Sequence, residues 1–246
     1  MAGDPNDGAA WQRSAATTFA SLDNFRDVGG AATVDGRHVR TGRLFRSDTL
    51  TKLSANDADA FDRLGIRTVI DLRRPTEVEE FGRIADAVDR RYINISPQHR
   101  LWDGTPYDEI AGPSRFLADR YHDLTHEGAT DIGEVIATLA EATTGPTLVH
   151  CFAGKDRTGV VIALTLAIVG VGVDAIADDY ALSNDWAERF VDTNTELARH
   201  WILAPREAMT VFLAELVDAY GSVEGYLATA GVGPKEFDAL RDNLLV

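Results

Sequence analysis

The sequence predicts an α/β fold, with a central, mainly parallel sheet flanked by helices and an all-helical C-terminal part. Two observations carry this. Short apolar runs rich in β-branched residues, IRTVIDL at 66–72, RYINIS at 91–96 and TLVH at 147–150, alternate with segments whose apolar residues recur at helical spacing. Beyond residue 159 the spacing is helical to the end of the chain. No repeat, low-complexity segment or linker interrupts the pattern, so residues 19–246 are expected to form one domain behind a flexible tail at 1–18.

Taken in order, LDNFRDVGGAATVDGRHVRTGRLFRSD at 22–48 alternates apolar and polar residues around Gly29, Gly30, Asp35 and Gly36, which predicts a small hairpin ending near Phe45. Ser54 and Asp57 approximate a capping box, opening a helix through Phe61 and Leu64 that stops at Gly65. IRTVIDL is a buried strand. Pro75 suits the first turn of a short helix over TEVEEFG, and RYINIS is the next strand. Residues 96–112 are expected to be a loop. Helical spacing runs from Ser114 to Ala142 with a break near Gly128, then TLVH returns to strand and GVVIALTLAIV to a core helix. The helices predicted after it cover 173–201, 205–220, 221–231 and 234–245.

The chain carries 24 basic and 39 acidic residues, a formal charge of -15 that argues against nucleic acid as a partner. Its single cysteine cannot form an internal disulfide. The N-terminal stretch MAGDPNDGAAWQRSAATT has neither a basic nor an apolar signal-peptide region, and the longest apolar run, at 159–173, is shorter than the roughly 20 residues that span a bilayer. No transmembrane segment is expected, and the localisation is expected to be cytoplasmic, or secreted without a recognisable signal peptide.

That one cysteine, Cys151, stands where the strand TLVH ends and the loop leading to the core helix begins. A strand, a loop of a few residues and a helix starting near Arg157 would direct several backbone N–H groups and the positive end of a helix dipole at one point, where an anion would bind. Ala153 and Gly154 leave room for the backbone to approach it, and the Arg157 guanidinium can grip two oxygens. The same field favours a thiolate over a thiol at Cys151, and a thiolate in such a setting is a nucleophile. A buried, inert thiol at a strand end is the bland alternative, and the loop chemistry speaks against it at every position.

HCFAGKDRTG at 150–159 resembles the His-Cys, five residues, Arg-Thr signature of the cysteine-dependent phosphatases. NFRDVGG at 24–30, GRLFRSD at 42–48, LGIRTVIDLR at 64–73, DYALSN at 179–184 and YGSVEGYL at 220–227 extend the resemblance, over nearly the whole domain, to the bacterial tyrosine-protein phosphatases similar to protein tyrosine phosphatase B. The resemblance implies a cysteine-phosphatase-like fold with Cys151 as phosphoryl acceptor and Arg157 binding the phosphate. Phe152, Ala153, Gly154, Lys155, Asp156, Arg157 and Thr158 would form the phosphate-binding loop, and the Thr158 hydroxyl would assist breakdown of the phosphoenzyme. It also implies a mobile helical cover at about 173–205. The general acid does not transfer: the family's candidate follows the strand matching RYINIS, where this chain has Gln98. Asp156 is the first choice for that role, with Asp71 and Asp103 behind it.

GK at 154–155 is not a nucleotide loop, since Val149 replaces the first glycine and Asp156 the magnesium-binding hydroxyl. His122 and His126, four apart, have no third ligand and read as helix surface; Asp178 and Asp179 read as a polar helix face rather than a metal site. No metal and no cofactor are expected. His150 reads as a structural partner of the loop. Arg26, Asp27, Arg46 and Asp48 are either a surface ion-pair set or a buried brace under the site. Tyr180, Trp186, Phe190, Trp201 and Ile202 are either core or part of the cover.

The expected activity is hydrolysis of phosphomonoesters through a cysteinyl-phosphate, by a protein tyrosine phosphatase whose substrates are phosphotyrosine proteins or phosphoinositides. A phosphate-recognition module without turnover would need the same amides and Arg157 but no thiolate. A sulfurtransferase is the weaker third reading, because Lys155, Asp156 and Thr158 suit phosphate better.

Overall fold

The computed structural model describes residues 19–98, 102, 105–142, 144–191 and 199–246. Strands β1 (Arg26–Asp27), β2 (Leu44–Ser47), β3 (Thr68–Asp71), β4 (Arg91–Asn94) and β5 (Thr147–His150) make one sheet in the order β1-β2-β5-β3-β4. β1 runs antiparallel to β2, and the other three pairings are parallel. The expected hairpin is this β1–β2 pair, with a bridge between Ala32 and His38 in the connection.

Neighbouring strand residues serve opposite faces. Leu44, Ile70 and Val149 enter one apolar cluster, Phe45, Val69 and Leu148 the other. β2, β3 and β5 are buried along their whole length, so β3 and β5 read as largely apolar runs rather than alternating ones, while β2 also buries Arg46 and Ser47. The first cluster receives most of the helices; the second is closed by Phe19, Leu22, Phe25 and Phe61.

The helices are α1 (Ala55–Asp62), α2 (Pro75–Phe81), α3 (Gly112–Glu127), α4 (Ala129–Glu141), α5 (Asp156–Ile168), α6 (Val173–Ala181), α7 (Asn184–Val191), α8 (Arg199–Ile202), α9 (Arg206–Tyr220), α10 (Val223–Thr229) and α11 (Pro234–Leu244). Their starts follow the sequence signals. Ser54 Oγ accepts from the Asp57 N–H at 3.3 Å to cap α1. Glu77 Oε2 accepts from the Arg74 N–H at 2.8 Å in front of α2, whose first residue is Pro75. The break at Gly128 separates α3 from α4 as expected. Among the described residues no helix is long and apolar enough to cross a membrane.

The parallel registers place Ser47, His150 and Asp71 side by side at the C-terminal ends of β2, β5 and β3. In open parallel sheets that edge is where ligands bind, and it is where the Cys151 loop leaves the sheet.

Candidate active site

β5 ends at His150 and α5 begins at Asp156, so residues 151–155 form the whole connection. Gly154 has a φ of +70°, and a Cβ on it would stand 2.3 Å from the Ser47 carbonyl oxygen, so only glycine fits. Three successive loop carbonyls are fastened to the scaffold. Phe152 O accepts from the Thr49 N–H at 2.9 Å, Ala153 O from Asn24 Nδ2 at 2.8 Å and Gly154 O from Arg46 Nη2 at 2.6 Å. In a planar trans peptide the N–H points opposite to its C=O, so the N–H groups of Ala153, Gly154 and Lys155 turn to the other side of the loop. The Gly154 N–H donates to Cys151 Sγ at 3.2 Å, which identifies that side as the one holding the thiol. The first-turn amides of α5, which have no intrahelical acceptor, add the positive end of its dipole.

Behind the loop, Asp179 on α6 binds two guanidinium groups, Arg26 Nε at 2.8 Å and Arg46 Nη1 at 2.5 Å. All three side chains are buried. Burial alone would raise the Asp179 carboxyl; the two cations overcome it and hold it below the usual carboxylate range. Burial, helped by Arg46, brings the Arg26 guanidinium down to about 10. Asn24 joins the set, accepting from Arg26 Nη1 at 2.5 Å while holding the Ala153 carbonyl. The arginines of the two N-terminal motifs therefore form a buried brace. Asp179 is its centre and not a polar helix face, since two buried cations require an anion between them; Asp178 does lie at the surface, paired with Arg206 at 2.6 Å. Asp27 and Asp48 brace backbone instead. Asp27 accepts from the N–H groups of Gly29 and Gly42 at 2.8 and 2.5 Å, and Asp48 accepts from the Asn24 N–H at 3.3 Å beside Lys52.

Arg157, in the first turn of α5, is oriented by a residue the sequence reading passed over. Its Nη1 and Nη2 donate to Glu77 Oε2 and Oε1 at 2.6 and 3.0 Å, and Nη1 also donates to the Leu72 carbonyl at 3.1 Å. Burial works against this cation, but Glu77 and the Cys151 sulfur hold it above its ordinary range. Glu77, conversely, is held below the usual carboxylate range because its bonds to Arg157 outweigh its burial. The guanidinium has five N–H donors. Those left over, on Nε and Nη2, share one edge and form a two-pronged grip for two oxygens.

Lys155 and Asp156 are held by other partners. The Lys155 ammonium, 1% exposed, donates to the carbonyls of Trp201 and of Leu203, the latter at 3.2 Å, and pairs with Asp156 Oδ1 at 3.1 Å. Asp156 Oδ1 also accepts from the Tyr121 hydroxyl at 2.9 Å, and that hydroxyl meets Tyr180 Oη at 2.5 Å. Asp156 remains 22% exposed. The buried Thr158 hydroxyl has no hydrogen-bond partner among the described residues.

The two reserve acids fare differently. Asp71 is fully buried, with both oxygens bound by Arg73 at 2.6 to 3.1 Å and one by the Tyr92 hydroxyl at 2.8 Å, which leaves no oxygen for a leaving group. Asp103 lies outside the described residues. Gln98 folds back onto the Ser96 carbonyl at 3.0 Å. His150 Nδ1 lies 3.1 Å from the Cys151 carbonyl oxygen and Nε2 3.6 Å from Asp71 Oδ2, and burial lowers its proton affinity. His122 pairs with Glu215 at 2.9 Å, and no group of metal-ligating side chains occurs among the described residues.

In the stretch expected as a cover, Tyr180 and Trp186 are buried. Trp201 and Ile202 are half-buried, Trp201 packing on Phe116 with ring centroids 5.8 Å apart. The Phe190 side chain and residues 192–198 fall outside the described part. Asn184 ties the segment after α8 to the start of α7, exchanging two hydrogen bonds with the Ala204 backbone at 2.8 and 3.0 Å.

The Cys151 sulfur, an amide cradle and a two-pronged cation thus converge at one strand end. Residues 17–246 match the family model described as the tyrosine phosphatase family. The triple specificity protein phosphatase PtpB of Mycobacterium tuberculosis is 33% identical over 274 residues, covering 90% of this chain and 96% of its own. A tyrosine-protein phosphatase of Nostoc commune is 29% identical over 218 residues, 81% of this chain and 73% of its own. With motifs, loop geometry and near full-length similarity in agreement, the chain belongs to the tyrosine phosphatase family, in the bacterial branch that includes PtpB.

Proposed function

We propose that this tyrosine phosphatase works through a cysteinyl-phosphate at Cys151, with phosphotyrosine proteins as substrates and with activity extending to other phosphomonoesters, phosphoinositides among them. The observation that carries the reading is the pairing of an amide-lined loop with the uncommitted Nε and Nη2 edge of Arg157. The Cys151 thiolate attacks phosphorus in line; the S–P bond forms as the P–O bond to the alcohol or phenol breaks. The N–H groups of residues 152–158 and Arg157 hold the three equatorial oxygens, whose charge grows or is redistributed in the transition state.

Asp156 protonates the departing oxygen. Because Tyr121 and Lys155 both converge on Oδ1, Oδ2 is the oxygen that carries the proton. Water then attacks phosphorus, its proton returns to Asp156, the S–P bond breaks and phosphate leaves. The Thr158 hydroxyl, buried and without another partner, is suited to donate to the sulfur as its charge returns. Reactivity toward several classes of phosphoester accords with the name of the M. tuberculosis relative.

The test is release of p-nitrophenol from p-nitrophenyl phosphate with a metal chelator present. Turnover in the wild type and none in Cys151→Ser, which should still bind vanadate, is the expected result. Binding of vanadate without turnover in the wild type would favour a phosphate-recognition module.

A further inference from the structure

Two tyrosines from distant helices meet at Asp156. Tyr121 on α3 and Tyr180 on α6 are both buried, with their hydroxyl oxygens 2.5 Å apart, and the Tyr121 hydroxyl donates to Asp156 Oδ1 at 2.9 Å. A phenol has one proton to donate. Tyr121 gives its own to the carboxylate, so the bond between the two phenols runs from Tyr180 to Tyr121. The row of donors therefore has one direction, Tyr180 to Tyr121 to Asp156, and each bond polarises the next. Burial, and after it the Asp156 carboxylate, hold both phenols above their ordinary range, so both keep their protons.

The Tyr121 ring has little freedom. Tyr180 and Phe212 pack edge to face against it, each with its centroid 5.9 Å away. Tyr180 in turn lies against α5 at Gly159, where an added Cβ would stand 3.1 Å from its ring. Its neighbour in the chain, Asp179, holds Arg46 and through it the Gly154 carbonyl. Lys155, the other partner of Asp156 Oδ1, divides its N–H donors between that oxygen and the carbonyls of Trp201 and Leu203. An ammonium on a four-carbon stem fixes a direction less well than a hydroxyl on a clamped ring.

We infer that Tyr121 is a positioning residue for proton transfer at Asp156, with Tyr180 as its support. The inference rests on the reading of Asp156 as the general acid and adds to it the groups that orient that acid. A bond to Oδ1 fixes the plane of the carboxyl group and leaves Oδ2 to carry the proton. As that proton passes, an O–H bond forms on the leaving oxygen while the one on Oδ2 breaks. The charge left on the carboxylate is shared with Oδ1, where the Tyr121 hydroxyl receives it. Neither tyrosine gives up its own proton. The contribution of Tyr121 therefore scales with how much the leaving group needs a proton: the phenolate of phenyl phosphate needs one, and dinitrophenolate departs without it.

Values of kcat/KM for phenyl phosphate and dinitrophenyl phosphate, measured for the wild type, Tyr121→Phe, Tyr180→Phe and Asp156→Asn, test this. Asp156→Asn should lower the phenyl phosphate value about 100-fold more than the dinitrophenyl phosphate value. Tyr121→Phe should do the same by about 10-fold. Tyr180→Phe, which leaves the bond to Asp156 in place but unpolarised, should do so by about 2-fold. A merely structural role lowers both substrates alike. Equal losses on both in Tyr121→Phe overturn the inference; if that variant does not fold, an unchanged ratio in Tyr180→Phe overturns it. A ratio unchanged in Asp156→Asn has a different meaning: Asp156 is then not the acid, and the reading beneath the inference fails first.

Discussion

Glu77 binds Arg157 through both carboxylate oxygens, at 2.6 and 3.0 Å, from the third position of α2. Arg157 is therefore aimed before any substrate arrives, and its remaining donors lie along a single edge. Pre-aimed donors do not have to reorganise as charge develops, which is how such groups lower a barrier.

Glu77→Gln should lower kcat/KM for p-nitrophenyl phosphate by about 10- to 100-fold, since one amide oxygen cannot reproduce the two-point grip. Breaking a largely buried pair should also cost about 1–3 kcal/mol of stability. Steady-state kinetics and urea unfolding read the two effects; near-normal catalysis would mean that Arg157 needs no such aiming.

Lys155→Met removes the donor that holds the Trp201 and Leu203 carbonyls without opening a large cavity. Amide hydrogen exchange in 199–205 should accelerate by about 10-fold or more, because those groups close local structure around the loop. Unchanged exchange would show that the Asn184 bonds to Ala204 suffice to hold the segment.

Asp179→Asn leaves Arg26 and Arg46 facing each other with no anion between them. A loss of about 3–5 kcal/mol is expected in chemical denaturation. Because Arg46 also holds the Gly154 carbonyl, vanadate affinity should fall as well, in the fraction that remains folded. A variant of wild-type stability would contradict the brace.

The sheet and the loop were legible because their signals are local. A strand shows as a run of β-branched residues, and the loop as a fixed spacing from Cys151 to Arg157. What escaped the sequence is what joins distant segments. Glu77 looks like an ordinary first-turn acid of a helix, and only the fold brings it 80 positions along the chain to Arg157. Asp179 sits in a run of acids, DD at 178–179, whose two members have opposite fates that helical periodicity alone did not separate. Lys155 reads as part of the phosphate-binding loop until the carbonyls of Trp201 and Leu203 are seen to hold it.

Stability should fall on acidification in two stages. His150 is held below its ordinary value by burial, so the unfolded chain takes up a proton first, and stability present above about pH 6.5 begins to be lost below it. Glu77, Asp71 and Asp179 are held below the usual carboxylate range; the stability they contribute is present above about pH 4 and is lost as pH falls through their folded values. Asp27 and Asp48, raised by burial, act in the opposite sense. Urea midpoints from pH 8 to 3 check this, and a midpoint that rises steadily on acidification would overturn it.

In the mechanism proposed above, phosphorus passes through Cys151. Acid quenching of the wild type during turnover of p-nitrophenyl phosphate, followed by mass spectrometry of its peptides, tests it directly. The peptide containing Cys151 should carry one phosphoryl group, and the same peptide from Cys151→Ser, quenched alike, should carry none while that variant releases no p-nitrophenol. Continued turnover by Cys151→Ser above background, with no phosphoryl group on Cys151 in the wild type, would contradict the covalent mechanism.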